Sequence, residues 1–140
     1  MVTPPGPLRS HCPINFGLEI FGDRWTLLVL RDLLIEGKHS FKEFQASEEG
    51  ISTNILADRL SRLEQSGLIA SQRVAADTRQ IHYRATPAGR ALLPVLVELA
   101  YWGARHDAQT AAPSAFVKAY ETDRSTLLRA MAAGADPTKD

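Results

Sequence analysis

Between Ile51 and Arg84 the hydrophobic period of the chain changes once, from helical to alternating. Leu56, Leu60 and Leu63 follow at spacings of four and three, so they line one side of a helix and must be buried. Asn54, Asp58, Ser61, Arg62 and Gln65 lie opposite, with Thr53 and Arg59 towards the flanks. Ser52 or Thr53 can cap the start, because a hydroxyl there accepts a hydrogen bond from an unpaired backbone N–H. Gly67 supplies the left-handed residue that closes a helix C-terminus. Beyond it, residues 69–75 and 81–86 are strand-like, with Ile81, Tyr83 and Ala85 alternating against His82 and Arg84. The polar run Ala76-Asp77-Thr78-Arg79-Gln80 between them predicts a turn tipped with Arg79.

The flanking patterns supply further elements. Ser40 to Ala46 predicts a short helix with Phe41 and Phe44 on one face, and aromatics at that spacing are core rather than stacking platforms. Ser47-Glu48-Glu49-Gly50 then gives the Gly-containing turn of a helix-turn-helix. Upstream, Pro13 to Phe21 reads as one helix and Trp25 to Ile35 as another, apolar on most sides and so buried. Thr86-Pro87 is a helix start, a cap followed by Pro at the first helical position. From there the helical pattern runs to about Gln109, with Pro94 expected to kink or break it. Leu92, Leu93, Leu96, Val97, Leu99, Ala100, Tyr101 and Trp102 give this stretch more apolar surface than one small domain covers, which predicts a subunit interface. After a break at Ala112-Pro113, Ser114 to Ala133 forms a last amphipathic helix carrying Phe116, Tyr120, Leu127, Leu128 and Met131. The expected organisation is a disordered tail over 1–10, a winged helix-turn-helix domain with dimerisation helices over 11–110, and an extra helix and tail over 111–140. The fold class is mainly α with a small β-hairpin wing, dimeric through its N- and C-terminal helices.

Chain length and composition allow this. With 140 residues the chain makes one domain large enough for a core without staples. Its start lacks the apolar core of a signal peptide, and no apolar stretch reaches the roughly 18 residues of a membrane helix. A single Cys excludes an intrachain disulfide framework, so a cytoplasmic location is expected. The formal net charge of zero argues at first against a polyanionic partner. Its distribution reverses that: residues 1–51 carry net −2, residues 52–90 net +3, and residues 91–140 net −1. The four histidines, His11, His39, His82 and His106, fall in no metal-ligand spacing. There is no Gly-rich phosphate loop, and Cys12 beside His11 lacks an orienting third group. Neither enzymatic activity nor a metal or cofactor is expected.

The exposed helix face has the chemistry of a base reader. Asn suits adenine edges, Arg suits guanine edges or phosphates, and small hydroxyls suit the helix N-terminus. A ribbon directly after such a helix can carry its arginines to an adjacent groove or backbone. The candidate DNA-binding residues are therefore Ser52, Thr53, Asn54, Asp58, Arg59, Arg62, Arg73, Arg79 and Gln80, and the expected partner is double-stranded DNA. Blander readings exist: an amphipathic helix whose Asp58 and Arg62 merely pair, a hairpin kept soluble by its arginines, or a winged-helix module that docks protein instead of DNA.

Together the residues resemble the HxlR-type branch of the MarR-like bacterial transcriptional regulators. The resemblance rests on Cys12-Pro13, Trp25-Thr26-Leu27-Leu28, Leu30-Arg31, Leu33-Leu34, Gly37, Phe41, Glu43, Phe44 and Ile51-Ser52. It continues through Leu56, Leu60, Leu63, Glu64, Gly67-Leu68, Arg73, Tyr83, Thr86, Gly89 and Trp102, covering roughly residues 11 to 106. It implies a homodimeric DNA-binding regulator of nearby promoters. Three departures stand out: Ser40 where the family usually has Arg, Asp77-Thr78-Arg79 where a Pro-containing turn is common, and Phe21 where a second Gly often precedes Gly22. The resemblance also bears on Cys12, since some members are thought to sense oxidants or electrophiles through a Cys near this position. Cys12 stands at the expected N-cap of the first helix, whose positive end favours a thiolate. It is thus a candidate redox sensor, and the competing reading is an inert, small hydrophobe, partly buried near the dimer interface. A small-molecule or oxidant effector is compatible with either.

Overall fold

Leu56, Leu60 and Leu63 are buried, and one of two units is assembled around them. The computed structural model describes residues 1–74 and 77–134. One unit spans Met1–Arg90 and the second begins at Ala91. The first contains α1 (Pro13–Phe21), α2 (Thr26–Leu34), α3 (Phe41–Gln45), α4 (Thr53–Gln65), β1 (Ile69–Val74), β2 (Asp77–Ala85) and α5 (Pro87–Arg90). The second contains α6 (Leu93–His106) and α7 (Ser114–Ala132). The fold is mainly helical, with an antiparallel two-stranded hairpin.

In the first unit Val29 and Leu30 of α2, Phe44 of α3, the α4 leucines, Leu68, Ile69 and Ala85 are all buried. The α3–α4 turn closes through Gly50 (φ 74°), and α4 ends before Gly67 (φ 84°), both conformations in which a side chain would be strained. Thr86 ties the hairpin to α5: its hydroxyl donates to the Gly67 carbonyl at 2.6 Å and accepts the Gly89 N–H at 3.2 Å, capping the helix. Residues 1–10 form no helix or strand, yet the Thr3 N–H donates to the Ser66 carbonyl at 3.2 Å, so this arm runs along the end of α4. Two of the three departures have a local reason. Ser40 caps α3: its hydroxyl accepts the Glu43 N–H at 3.2 Å and donates to Glu43 Oε1 at 2.8 Å. Phe21 lays its ring over Gly17, where an added Cβ would meet the ring at 2.8 Å.

Three expectations are corrected. The second strand starts at Asp77, not 81, and pairs with β1 from Val74↔Asp77 to Ile69↔Ala85 across a bulge at Arg73/Val74. Arg79 and Gln80 therefore belong to β2 instead of a turn, in the bulge between the Val74↔Asp77 and Arg73↔Ile81 pairs. Ala75 and Ala76 lie outside the described residues, as do residues 135–140 of the expected tail. The helical run after Thr86 ends at His106, short of Gln109; the break expected at Pro94 is present, dividing it into α5 and α6, with Pro94 in the first turn of α6, where its missing N–H costs nothing. And α7 breaks at Asp123 (φ −160°, ψ 92°), whose carboxylate accepts the Thr126 N–H at 3.1 Å and hydroxyl at 2.7 Å. Asp123 thus caps a second half-helix. In this second unit Leu93 and Val97 pack with Phe116, Leu127 and Met131, and the Tyr101 and Tyr120 rings stack at 3.8 Å. No helix among the described residues is long and apolar enough to cross a membrane.

Candidate nucleic-acid interface

α4 presents its polar side because its leucine side is committed. Ser52 is the N-cap, its hydroxyl accepting the Ile55 N–H at 3.3 Å. Thr53 is exposed but held, since Gln45 Nε2 of α3 donates to its hydroxyl at 2.6 Å. Asn54, Asp58, Ser61, Arg62 and Gln65 are exposed along one face, as positions four, seven, eight and eleven beyond Asn54 must be on one helix side. Asp58 lies between two cations, forming ion pairs with Arg62, whose Nε is 3.0 Å away, and with Arg59.

Arg59 is the exception among the predicted residues. Its side chain is only 18% exposed, and its Nε donates to Asp23 Oδ2 at 2.8 Å. Asp23 precedes α2 and caps it, accepting the N–H groups of Trp25 at 3.0 Å and Thr26 at 3.1 Å, and the Thr26 hydroxyl. Burial pushes the Asp23 carboxyl up, but hydrogen bonds from Thr26, Arg59 and the Trp25 backbone outweigh it and hold it at about 2.

A second anchor holds the turn before α4. Arg31 grips Glu49 with two hydrogen bonds, 2.6 and 2.9 Å, and reaches the buried Asp32 at 2.8 Å. Ser47 donates to the same Asp32 and accepts from Lys38 Nζ at 2.7 Å. The Arg31 fork holds the Glu49 carboxyl at about 2 against the opposing effect of burial. Asp23 and Asp32 were not singled out in the sequence, and Arg31 and Glu49 entered only through the family resemblance and the turn before α4. The signals were there: Asp23 stands three residues before Thr26, a capping spacing, and Arg31-Asp32 interrupts an apolar helix.

The hairpin is tied to α3 at its root. The Tyr83 N–H donates to the His39 carbonyl at 2.7 Å, Ser40 bridges to His82, and the rings of Phe44 and Tyr83 lie 6.1 Å apart. Burial first, then the nearby Glu64, pushes the Tyr83 hydroxyl up. Farther out Arg73 pairs across the ladder with Ile81, and Arg79 stands two residues before Ile81 in β2. Arg73, Arg79, Gln80 and Arg84 are all exposed. The structure thus groups Ser52, Thr53, Asn54, Asp58 and Arg62 on α4 and Arg73, Arg79 and Gln80 on the hairpin, with Arg59 turned into the scaffold. Cys12 lies apart, exposed at the N-cap of α1 in the single chain. Among the described residues no cluster of His, Cys, Asp or Glu could hold a metal.

Comparison with known proteins agrees with this geometry. Residues 20–111 match the profile of the HxlR-like helix-turn-helix family. The uncharacterized HTH-type transcriptional regulator YdeP of Bacillus subtilis is 32% identical over 95 residues, 68% of this chain and 73% of its own. Among solved structures, PA1607, a candidate transcription factor, superposes with a TM-score of 0.67 at 34% identity, over 75% of this chain and 73% of that one. The redox regulator HypR in its oxidized form gives a TM-score of 0.60 at 28% identity, over 69% of this chain and 98% of its own.

Proposed function

The chain belongs to the HxlR-like helix-turn-helix family of transcriptional regulators, and from that premise we propose that it binds a pseudo-palindromic operator as a homodimer. The observation that carries this is the exposed face of α4, polar and hydrogen-bonding along its length, beside a hairpin bearing Arg73, Arg79 and Arg84. α4 enters the major groove with Asn54 and Arg62 on base edges, Ser52 and Thr53 near a phosphate, and Asp58 holding Arg62 in place. Arg73, Arg79 and Gln80 lie on adjacent backbone. One helix and one wing touch too little DNA for tight specific binding, so a second copy doubles the contacts. The half-sites then lie about 34–36 Å apart, one helical turn.

The test is selection of bound duplexes from a random-sequence pool by the full chain, followed by affinity measurements over a salt series. An enriched inverted repeat and a steep salt slope, about −0.9 per phosphate neutralised, are expected. Failure to enrich any sequence, with salt-independent binding, refutes the proposal.

Cys12 is proposed as a redox-responsive group of this regulator. The exposed thiol supports it, as does the likeness to structures of the redox regulator HypR and of diamide-treated YodB from B. subtilis. With one Cys per chain, the product is a Cys12–Cys12 disulfide between subunits, needing Cα atoms within about 7 Å, or a mixed disulfide with a small thiol. Diamide should change operator affinity of the wild type and leave Cys12→Ser unaffected. Unchanged wild-type binding makes Cys12 a structural residue.

A further inference from the structure

We propose that Arg59 is a positioning residue, not a DNA ligand: its ion pair with Asp23 fixes the rotation of α4 about its own axis and so selects which side chains face the bases. This rests on the DNA-binding reading above and concerns how specificity is set within it. The leucine stripe holds α4 against the core, but apolar packing is non-directional and tolerates small rotations. A rotation of about 20° would swing a group about 5–6 Å from the helix axis by about 2 Å. That exceeds the roughly 0.5 Å within which a binding constellation must be held. A hydrogen-bonded ion pair is directional and resists such a rotation.

The Asp23–Arg59 pair has the anchoring that this role requires. Asp23 is itself immobilised, since α2's first N–H groups and the Thr26 hydroxyl all donate to its carboxylate. Arg59 Nε binds the same oxygen that caps α2, 2.8 Å away, and the pair spans 36 residues of chain. The other arm of the guanidinium reaches Asp58, which in turn forms an ion pair with Arg62, whose Nε lies 3.0 Å away. A continuous line, Asp23–Arg59–Asp58–Arg62, therefore runs from the scaffold to the reading face. Arg62 is 54% exposed and Arg59 18%, so the two arginines of one helix are divided between reading and support.

Two roles for Arg59 make opposite forecasts for Asp23. If Arg59 were a phosphate ligand, removing the Asp23 charge would release it and leave binding unchanged or tighter. If Arg59 positions α4, Asp23→Asn must behave like the loss of Arg59. The experiment uses the full chain, a duplex enriched by the wild type from a random pool, and a random duplex of equal length, each titrated over a salt series. Asp23→Asn, Arg59→Met, Arg59→Lys and the double variant Asp23→Asn/Arg59→Met are measured well below their own Tm, with helicity checked by circular dichroism. Asp23→Asn guards against outright unfolding, because it is isosteric and keeps one acceptor oxygen.

Each single variant is expected to lower the ratio of selected to random affinity about tenfold, the size of one mismatched base pair. The double variant should lose no more than either single one. The salt slope should stay at the wild-type value in all of them. Lys keeps the charge but cannot bridge Asp23 and Asp58 with one planar fork, so Arg59→Lys should keep random-DNA affinity without restoring discrimination. The inference is overturned if Arg59→Met weakens both duplexes equally and flattens the slope by about one contact, if Asp23→Asn discriminates as the wild type does, or if Lys restores full discrimination. Failure of the wild type to enrich any sequence is a different result, and it removes the proposed function itself.

Discussion

At the scale of single residues, the proposed reading assigns two kinds of side chain to α4 and the hairpin, and each kind should lose binding differently. Asn54→Ala or Arg62→Ala should cost on the order of 1–3 kcal/mol on the selected duplex and little on random DNA, because a bidentate base contact carries sequence information. Arg73→Ala or Arg79→Ala should weaken both duplexes alike and flatten the salt slope. Anisotropy titrations on the two duplexes separate the cases, and equal losses on both for Asn54 and Arg62 would sink the base-reading assignment. Gly89 is a residue of another sort. A Cβ there would lie 2.0 Å from the Leu68 carbonyl oxygen, so backbone must move on one side or the other. Gly89→Ala should destabilise the first unit by about 1–3 kcal/mol, as overpacking does, read from the urea midpoint. An unchanged midpoint would mean that α5 shifts freely.

At the scale of elements, α2 holds α4 at two places: Asp23 grips its middle through Arg59, while Arg31, Asp32 and Glu49 hold the turn before it. Both anchors depend on ionised carboxylates, so they should fail in acid. Asp23 stands at about 2 against an ordinary 3.8, and Glu49 at about 2 against 4.5. A carboxyl depressed by folding contributes fully above its ordinary value and loses that contribution as pH falls through its folded value. For Asp23 the contribution is about 2 kcal/mol; the more exposed Glu49 gives less, because solvent screens it. The urea midpoint should therefore hold above about pH 5 and decline down to pH 2, and Asp23→Asn should start lower and decline less. Identical profiles for the two proteins would refute the anchor. These anchors mark the limit of what the sequence showed. Leu56, Leu60, Leu63 and Gly67 were legible because helix periodicity and a C-terminal glycine are local signals. The Asp23–Arg59 pair was not, since nothing in either neighbourhood names a partner 36 residues away. Arg59 consequently read as one more exposed arginine. The hairpin failed for a related reason: Asp77 to Gln80 have turn chemistry, but Asp77 pairs with Val74 and the residues between it and Ile81 are taken into β2 as a bulge. The Asp123 break was locally signalled by Thr126 three residues on, and was masked by the apolar period running through it.

At the scale of the whole molecule, each unit leaves an apolar helix face in water. In the first, Ile14 and Leu18 of α1 stand one turn apart and are 73% and 49% exposed. In the second, Leu99 and Trp102 of α6 are 50% and 64% exposed, and the Trp102 ring stacks on His106 at 4.5 Å, which extends the flat surface. Large apolar side chains exposed in pairs along a helix are costly singly and useful when a second copy covers them. A two-fold interface uses the same surface from both copies, so one substitution removes two contacts. In the proposed two-fold mode of binding two segments of net +3 would act on one duplex, so a net charge of zero does not argue against it. Burying Trp102 makes it the natural hot spot, where truncation costs on the order of 2 kcal/mol or more. Trp102→Ala with Leu99→Asp should therefore convert the dimer to monomer at micromolar concentration, as sedimentation velocity would show. The monomer should keep the hairpin and the α4 face, because the first unit's core contains neither residue. Its affinity for the selected repeat should fall to that of a single half-site, with roughly half the salt slope. A monomer that still binds the full repeat as tightly as the wild type would separate dimerisation from operator recognition and refute the two-fold mode of binding.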